Sequence, residues 1–160
     1  MTKTQTTPAA AVDPTVAAGS AQFLTPVVLG LQALAVNGKQ AHWNVRGANF
    51  IAIHELLDSV VDHAQDWADE AAERVVALGL PIDARLSTIA SKTSSEVKAG
   101  FTQWEPMIRD VISDIDAVIA DLQAAIDGLD EVDLTSQDVA IGIKEGLEKD
   151  RWFLFAHLAE

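Results

Sequence analysis

Apolar residues recur at steps of three and four along four stretches of the chain, and that spacing predicts helices. The first runs from Ser20 to Val45 with Val28, Leu31, Leu34 and Ala35 as its stripe. Thr25-Pro26 reads either as a cap with a first-turn proline or as a proline early in a longer helix. Residues 46–49, with Gly47, break the pattern. The second helix spans Phe50 to Leu78 on Ile53, Leu57, Val60, Ala64, Ala68, Ala71 and Val75, and Gly79-Leu80-Pro81 stops it. The third, Thr102 to Leu129, has the cleanest heptads: Ile108, Val111, Ile115, Val118, Leu122, Ala125 and Leu129. The fourth starts at Thr135, read as a cap with Asp138 reaching back in a capping-box arrangement. Val139, Ile143, Leu147, Leu154 and Leu158 are its apolar face.

No segment alternates as a strand would. The connection over residues 80–101 is long, and LSTIASKT within it predicts one short helix. The pattern therefore predicts an all-α, four-helix bundle with a short extra helix in the crossover between helices two and three. Residues 1–19 are rich in Thr, Ala and Pro without apolar periodicity, and are expected as a flexible tail ahead of a single domain over residues 20–160.

Composition narrows the setting. At 160 residues and 49% apolar, the chain can bury a sizeable core. No membrane-spanning run and no signal peptide are read from it, and it has no cysteine. A cytoplasmic location is the expectation. A formal net charge of −13 attracts cations and repels nucleic acid.

The chemistry concentrates on His42, His54, Asp58, Asp69 and Glu73. Two imidazoles and three carboxylates suit iron and similar divalent metals. With His54 at the origin and about 100° per residue, Asp58, Asp69 and Glu73 fall at about 40°, 60° and 100°, on one stripe. They form two i, i+4 pairs, and about 16 Å of helix separates Asp58 from Asp69. Metal–ligand bonds are only about 2 Å long, so one straight helix cannot bring both pairs to one cluster. A two-fold dimer can, by setting one chain's Asp69/Glu73 against its partner's His54/Asp58. Acidic residues on an amphipathic helix are more often a solvated face, and the histidines shift that balance. Asp62, at about 80°, reads as surface, and His63, at about 180°, is excluded from the site.

The sequence contains no Glu-x-x-His, the motif of di-iron bundles with the centre inside one subunit. The segment AHWNVRGANFIAIHELLD, followed by DEAAERVVALG and by the C-terminal KDRWFLFAHL, closely resembles the Dps family of mini-ferritins over residues 20–160. The resemblance implies a ferritin-like bundle assembled as a hollow homo-dodecamer. It implies oxidation of ferrous iron, with hydrogen peroxide preferred over oxygen, and storage of ferric mineral. It implies a two-iron site with His42, His54 and Asp58 from one chain and Asp69 and Glu73 from the other, Glu73 being shared between the irons. It places Asp138 at a three-fold pore that admits iron, with Asp130 and Asp133 nearby. Trp43 and Trp152 match tryptophans that can quench radicals, against a plain reading as core packing. His157 reads as structural, and Gly142 and Gly146 as points of close helix approach.

Two other functions weigh against this reading. Charge argues against DNA binding, since Lys3 is the only basic residue of the N-terminal tail and no basic tail is expected after the last helix. A metal-dependent hydrolase of acylated substrates could use the same interface ligands. No GxSxG or HExxH motif supports a separate hydrolytic site.

Overall fold

The computed structural model describes residues 12–158. Asp13 caps the first helix, accepting a 2.7 Å hydrogen bond from the backbone N–H of Thr15. Pro14 takes the first helical position, where its missing N–H costs nothing. Helix α1 therefore runs Pro14–Asn44 and begins six residues before the expected Ser20. Ala17 and Ser20 are buried there, which anchors the added turns. Residues 1–11 of the expected tail, with Lys3, lie outside the described residues. Pro26 lies inside α1, the second of its two sequence readings.

The other helices are α2 (Phe50–Ala77), α3 (Leu86–Lys92), α4 (Trp104–Leu129) and α5 (Leu134–Ala156). Four are long, and α3 is the short helix expected in the crossover. Helix α1 packs on α2 and α4, and α5 packs on α4 and α2. Leu31, Leu34, Leu57, Ile108, Ile115, Leu122 and Leu147 are among the fully buried side chains between them. These are largely the positions that the three- and four-residue steps marked.

Three details differ from expectation. Val45–Arg46 (β1) and Thr102–Gln103 (β2) form a two-residue parallel pair, Val45 opposite Thr102, which delays the start of α4 to Trp104. Two residues are too few for alternation to register in a sequence. At the start of α5 the N-cap is Asp133, whose carboxylate accepts from the Thr135 N–H at 3.3 Å, so Thr135 and Asp138 form no capping box. Asp133 also binds the Arg74 guanidinium at 2.6 Å and the Ser136 hydroxyl at 2.5 Å. Burial pushes the Asp133 carboxyl up, but Ser136 and Arg74 together bring it down to about 2. Finally, α1 has an 18-residue window of mean hydropathy 1.4, enough in length and composition to cross a membrane. Its apolar side chains are the bundle core instead, and 56% of that window is buried.

The two glycines of α5 divide. A Cβ on Gly146 would meet Trp67 Cζ2 at 2.2 Å, so this glycine does permit close approach. Gly142 faces open space and has no such role within the chain.

Candidate metal centre

Residues 46–49 turn the chain so that α2 returns along α1. Gly47 makes the turn possible: its φ is +120°, and a Cβ there would lie 2.7 Å from Trp104 Cδ1. The turn sets His54 beside His42. Nδ1 of His42 lies 2.8 Å from the His54 carbonyl oxygen, and Nδ1 of His54 lies 2.9 Å from the His42 carbonyl oxygen. Carbonyl oxygens only accept, so both Nδ1 atoms carry protons and both Nε2 atoms keep lone pairs. That tautomer is the one a metal needs at Nε2. The rings stack at 3.6 Å between centroids, and Phe50 covers His54 at 5.0 Å. His42 is buried at 6% exposure, so its ring is fixed before any ligand arrives.

Asp58 follows one turn after His54. Its Oδ1 lies 3.3 Å from His42 Nδ1, and it forms a salt bridge with Lys39. The Lys39 hydrogen bond holds the Asp58 carboxyl below the usual carboxylate range, despite partial burial. Lys39 was not singled out from the sequence. Its place three residues before His42 puts it on the same helix face, and that spacing is the signal that could have found it. A cation at this half-site must compete with the ammonium for Asp58.

Asp69 and Glu73 lie elsewhere. Both are exposed on the last turns of α2 and line an open cleft with Asp66, Glu70, Arg74 and Val139. Among the described residues no three His, Asp or Glu side chains of one chain converge on a metal position. The structure sets His42 beside both His54 and Asp58 without bringing the three to one metal position, and leaves Asp69 and Glu73 as a separate pair. Asp62 is exposed. His63 faces away, toward Asp150 on α5, as its helical angle requires. Trp43 and Trp152 are 64% and 62% exposed, so neither is core packing. Asp138 is exposed in the second turn of α5, and Asp130 accepts from Gln137 Nε2 at 3.2 Å. His157 is half-buried at the end of α5.

Residues 28–160 match the ferritin-like domain family. The Dps of Microbacterium arborescens, in its high-iron form, superposes with a TM-score of 0.92 at 76% identity, over 93% of this chain and 98% of that one. The DNA protection during starvation protein of Agrobacterium fabrum is 38% identical over 79% of this chain and 80% of its own length. Its counterpart in Mycolicibacterium smegmatis is 37% identical over 75% of this chain, which spans only 66% of that protein. Fold and matches together define a ferritin-like four-helix protein. Within that class the chain belongs to the Dps family of mini-ferritins.

Proposed function

We propose that the protein oxidises ferrous iron at sites formed between two-fold-related chains and stores the ferric product inside a closed shell of twelve. The observation that carries this reading is the division of the ligands. At one end of α2, His54 stacks on His42 of α1, both in the metal-binding tautomer, beside Asp58. The other end presents Asp69 and Glu73, exposed and with no ligand partner of their own chain among the described residues. An antiparallel partner completes both halves at once.

Iron is the substrate here. Imidazole nitrogen accommodates the ferrous ion, and carboxylates favour the ferric product by neutralising its charge. Two ferrous ions give one electron each to one hydrogen peroxide, which takes up two protons and leaves as two waters. Delivering both electrons together avoids a free hydroxyl radical. Oxygen is the secondary oxidant. In this reading the exposed Trp43 and Trp152 donate an electron to a stray radical, and the shell works in the cytoplasm. Native mass spectrometry with iron analysis tests the assembly: twelve copies of the 17.1 kDa chain give about 205 kDa. A folded monomer holding two irons would contradict it. Hydrolysis of acylated substrates, the other use of the same ligands, is favoured by no feature of the site's geometry.

Iron must cross the shell, and carboxylate-lined pores concentrate cations. Asp138 is exposed near the start of α5 and is the proposed pore residue. Because Asp133 is the cap, Asp138→Asn leaves the helix start intact. Uptake should slow and lose part of its dependence on salt, while pre-loaded iron oxidises normally. Initial uptake rate against ionic strength measures this. Equal rates and slopes in both proteins would move the entry route elsewhere.

Direct binding to DNA is not expected. Twelve chains carry a formal charge of roughly −156, from −13 each. A gel shift at low salt with metal-free protein should show no retardation. A clear shift without divalent cations would reveal a basic patch that overrides the net charge.

A further inference from the structure

Asp150 is only 3% exposed, and a carboxylate that far from water is costly unless paired. Its partner is His63, whose Nδ1 lies 2.9 Å from Oδ2 and 3.2 Å from Oδ1. An ionised carboxylate only accepts, so Nδ1 donates and the neutral ring keeps its lone pair on Nε2. Burial pushes the Asp150 carboxyl up, while His63 and Lys149 oppose that shift. The imidazole is also held against Trp67, with ring centroids 5.2 Å apart, and Trp67 is itself seated on Gly146. Yet the His63 side chain is 48% exposed. The result is a ring fixed on one edge and open to water on the other.

This arrangement matches what surrounds a ligating histidine: a carboxylate on one ring nitrogen sets the tautomer and raises the basicity of the other. Helix spacing offers a second donor. Asp66 is exposed one turn along α2, and side chains at i and i+3 are neighbours on a helix surface. Asp62 and Glu70, also exposed on α2, add negative potential without being needed as ligands. His63 is nine residues from His54 and about half a turn around the helix, roughly 13 Å along the axis, so it shares no ligand with the other centre.

We propose that His63 Nε2 and the Asp66 carboxylate form a second divalent-cation site on α2, with Asp150 positioning the imidazole. The mixed nitrogen and oxygen donors favour zinc, cobalt(II) or ferrous iron over magnesium or calcium, with water in the remaining positions. The proposal does not rest on the oxidation reading, because none of the five residues assigned there takes part.

The test uses the assembled full-length protein carrying His42→Ala and Asp58→Ala, which removes two of the three ligands in the histidine half of the interface site and leaves His54. Metal-free protein is titrated with cobalt(II), with absorption in the visible and equilibrium dialysis as readouts. One cobalt per chain should bind through an imidazole and be lost on adding His63→Ala. Asp66→Asn touches neither Asp150 nor Trp67, so folding is preserved, and affinity should fall about tenfold or more. Asp150→Asn should keep the stoichiometry but weaken binding by about 10- to 100-fold, the usual effect of losing an outer partner. Unchanged cobalt binding after His63→Ala, or unchanged affinity after Asp66→Asn, would overturn the site. Retained cobalt at the interface in this background would count against the oxidation reading alone, since the His63-dependent part is read by difference.

Discussion

Replacing His42 and Asp58 together by alanine should slow peroxide-driven iron oxidation by at least about a hundredfold while the bundle stays folded. Losing a residue that merely supports a ligand costs about 10- to 100-fold, so losing two direct ligands should cost more. The change is not free of structural cost. His42 is buried, and its ring both stacks on His54 and bonds the His54 carbonyl. The hydrophobic contacts of α1 with α2 and α4 remain, among them Leu31, Leu34 and Leu57. Circular dichroism checks folding, and stopped-flow absorbance follows the ferric product. Oxidation at the wild-type rate by the folded double variant would remove the proposed centre.

The second large effect is on stability, and it arises at Asp114 on α4. This side chain is 8% exposed and accepts a 2.5 Å hydrogen bond from the Ser95 hydroxyl, which ties the crossover to the bundle. Burial pushes its carboxyl up to about 6, helped by the charges of Asp110 and Glu96 and opposed by Ser95. The sign follows from which state holds the proton. Between the ordinary value of 3.8 and about 6, the folded chain binds the proton more tightly than the unfolded one. Stability is therefore lost as pH rises through that window, by up to about 3 kcal/mol for a shift of this size. Asparagine resembles the protonated form and keeps an oxygen for Ser95. Asp114→Asn should leave the melting temperature little changed at pH 4 and raise it at pH 8. Melting curves of both proteins at the two pH values decide it. A variant no more stable than wild type at pH 8 would show that the buried charge carries no such penalty.

How much of this was legible in the sequence depends on the range of the interactions. Apolar spacing marked Ile53, Leu57 and Val60 or Ile108, Val111 and Ile115, because helical burial repeats locally, and the same rule placed His54, Asp58, Asp69 and Glu73 on one stripe. It also turned His63 away from them. The ends of elements were less legible. Asp13 and Asp133 are caps, yet each competes in the sequence with another plausible start, Thr25 and Thr135. The β1–β2 pair joins residues far apart in the chain and is too short to leave a pattern. Partners across helices were not readable at all. Spacing puts Lys39 on the His42 face of α1, but its pairing with Asp58, like that of His63 with Asp150, exists only once the helices pack. The exposure of Trp43 and Trp152 was likewise invisible, because an aromatic residue at helical spacing looks the same buried or not.

The central claim is that each metal site is shared between two chains, and subunit mixing tests it most directly. One variant carries His42→Ala and Asp58→Ala, and the other carries Asp69→Ala and Glu73→Ala. Each alone should be inactive. Co-assembled in equal amounts, half of the two-fold pairs are mixed, and each mixed pair contains one complete site and one that keeps only His54. The mixture should recover about a quarter of the wild-type oxidation rate. Sites built within single chains would leave the mixture as inactive as its parts, and that result would contradict the account.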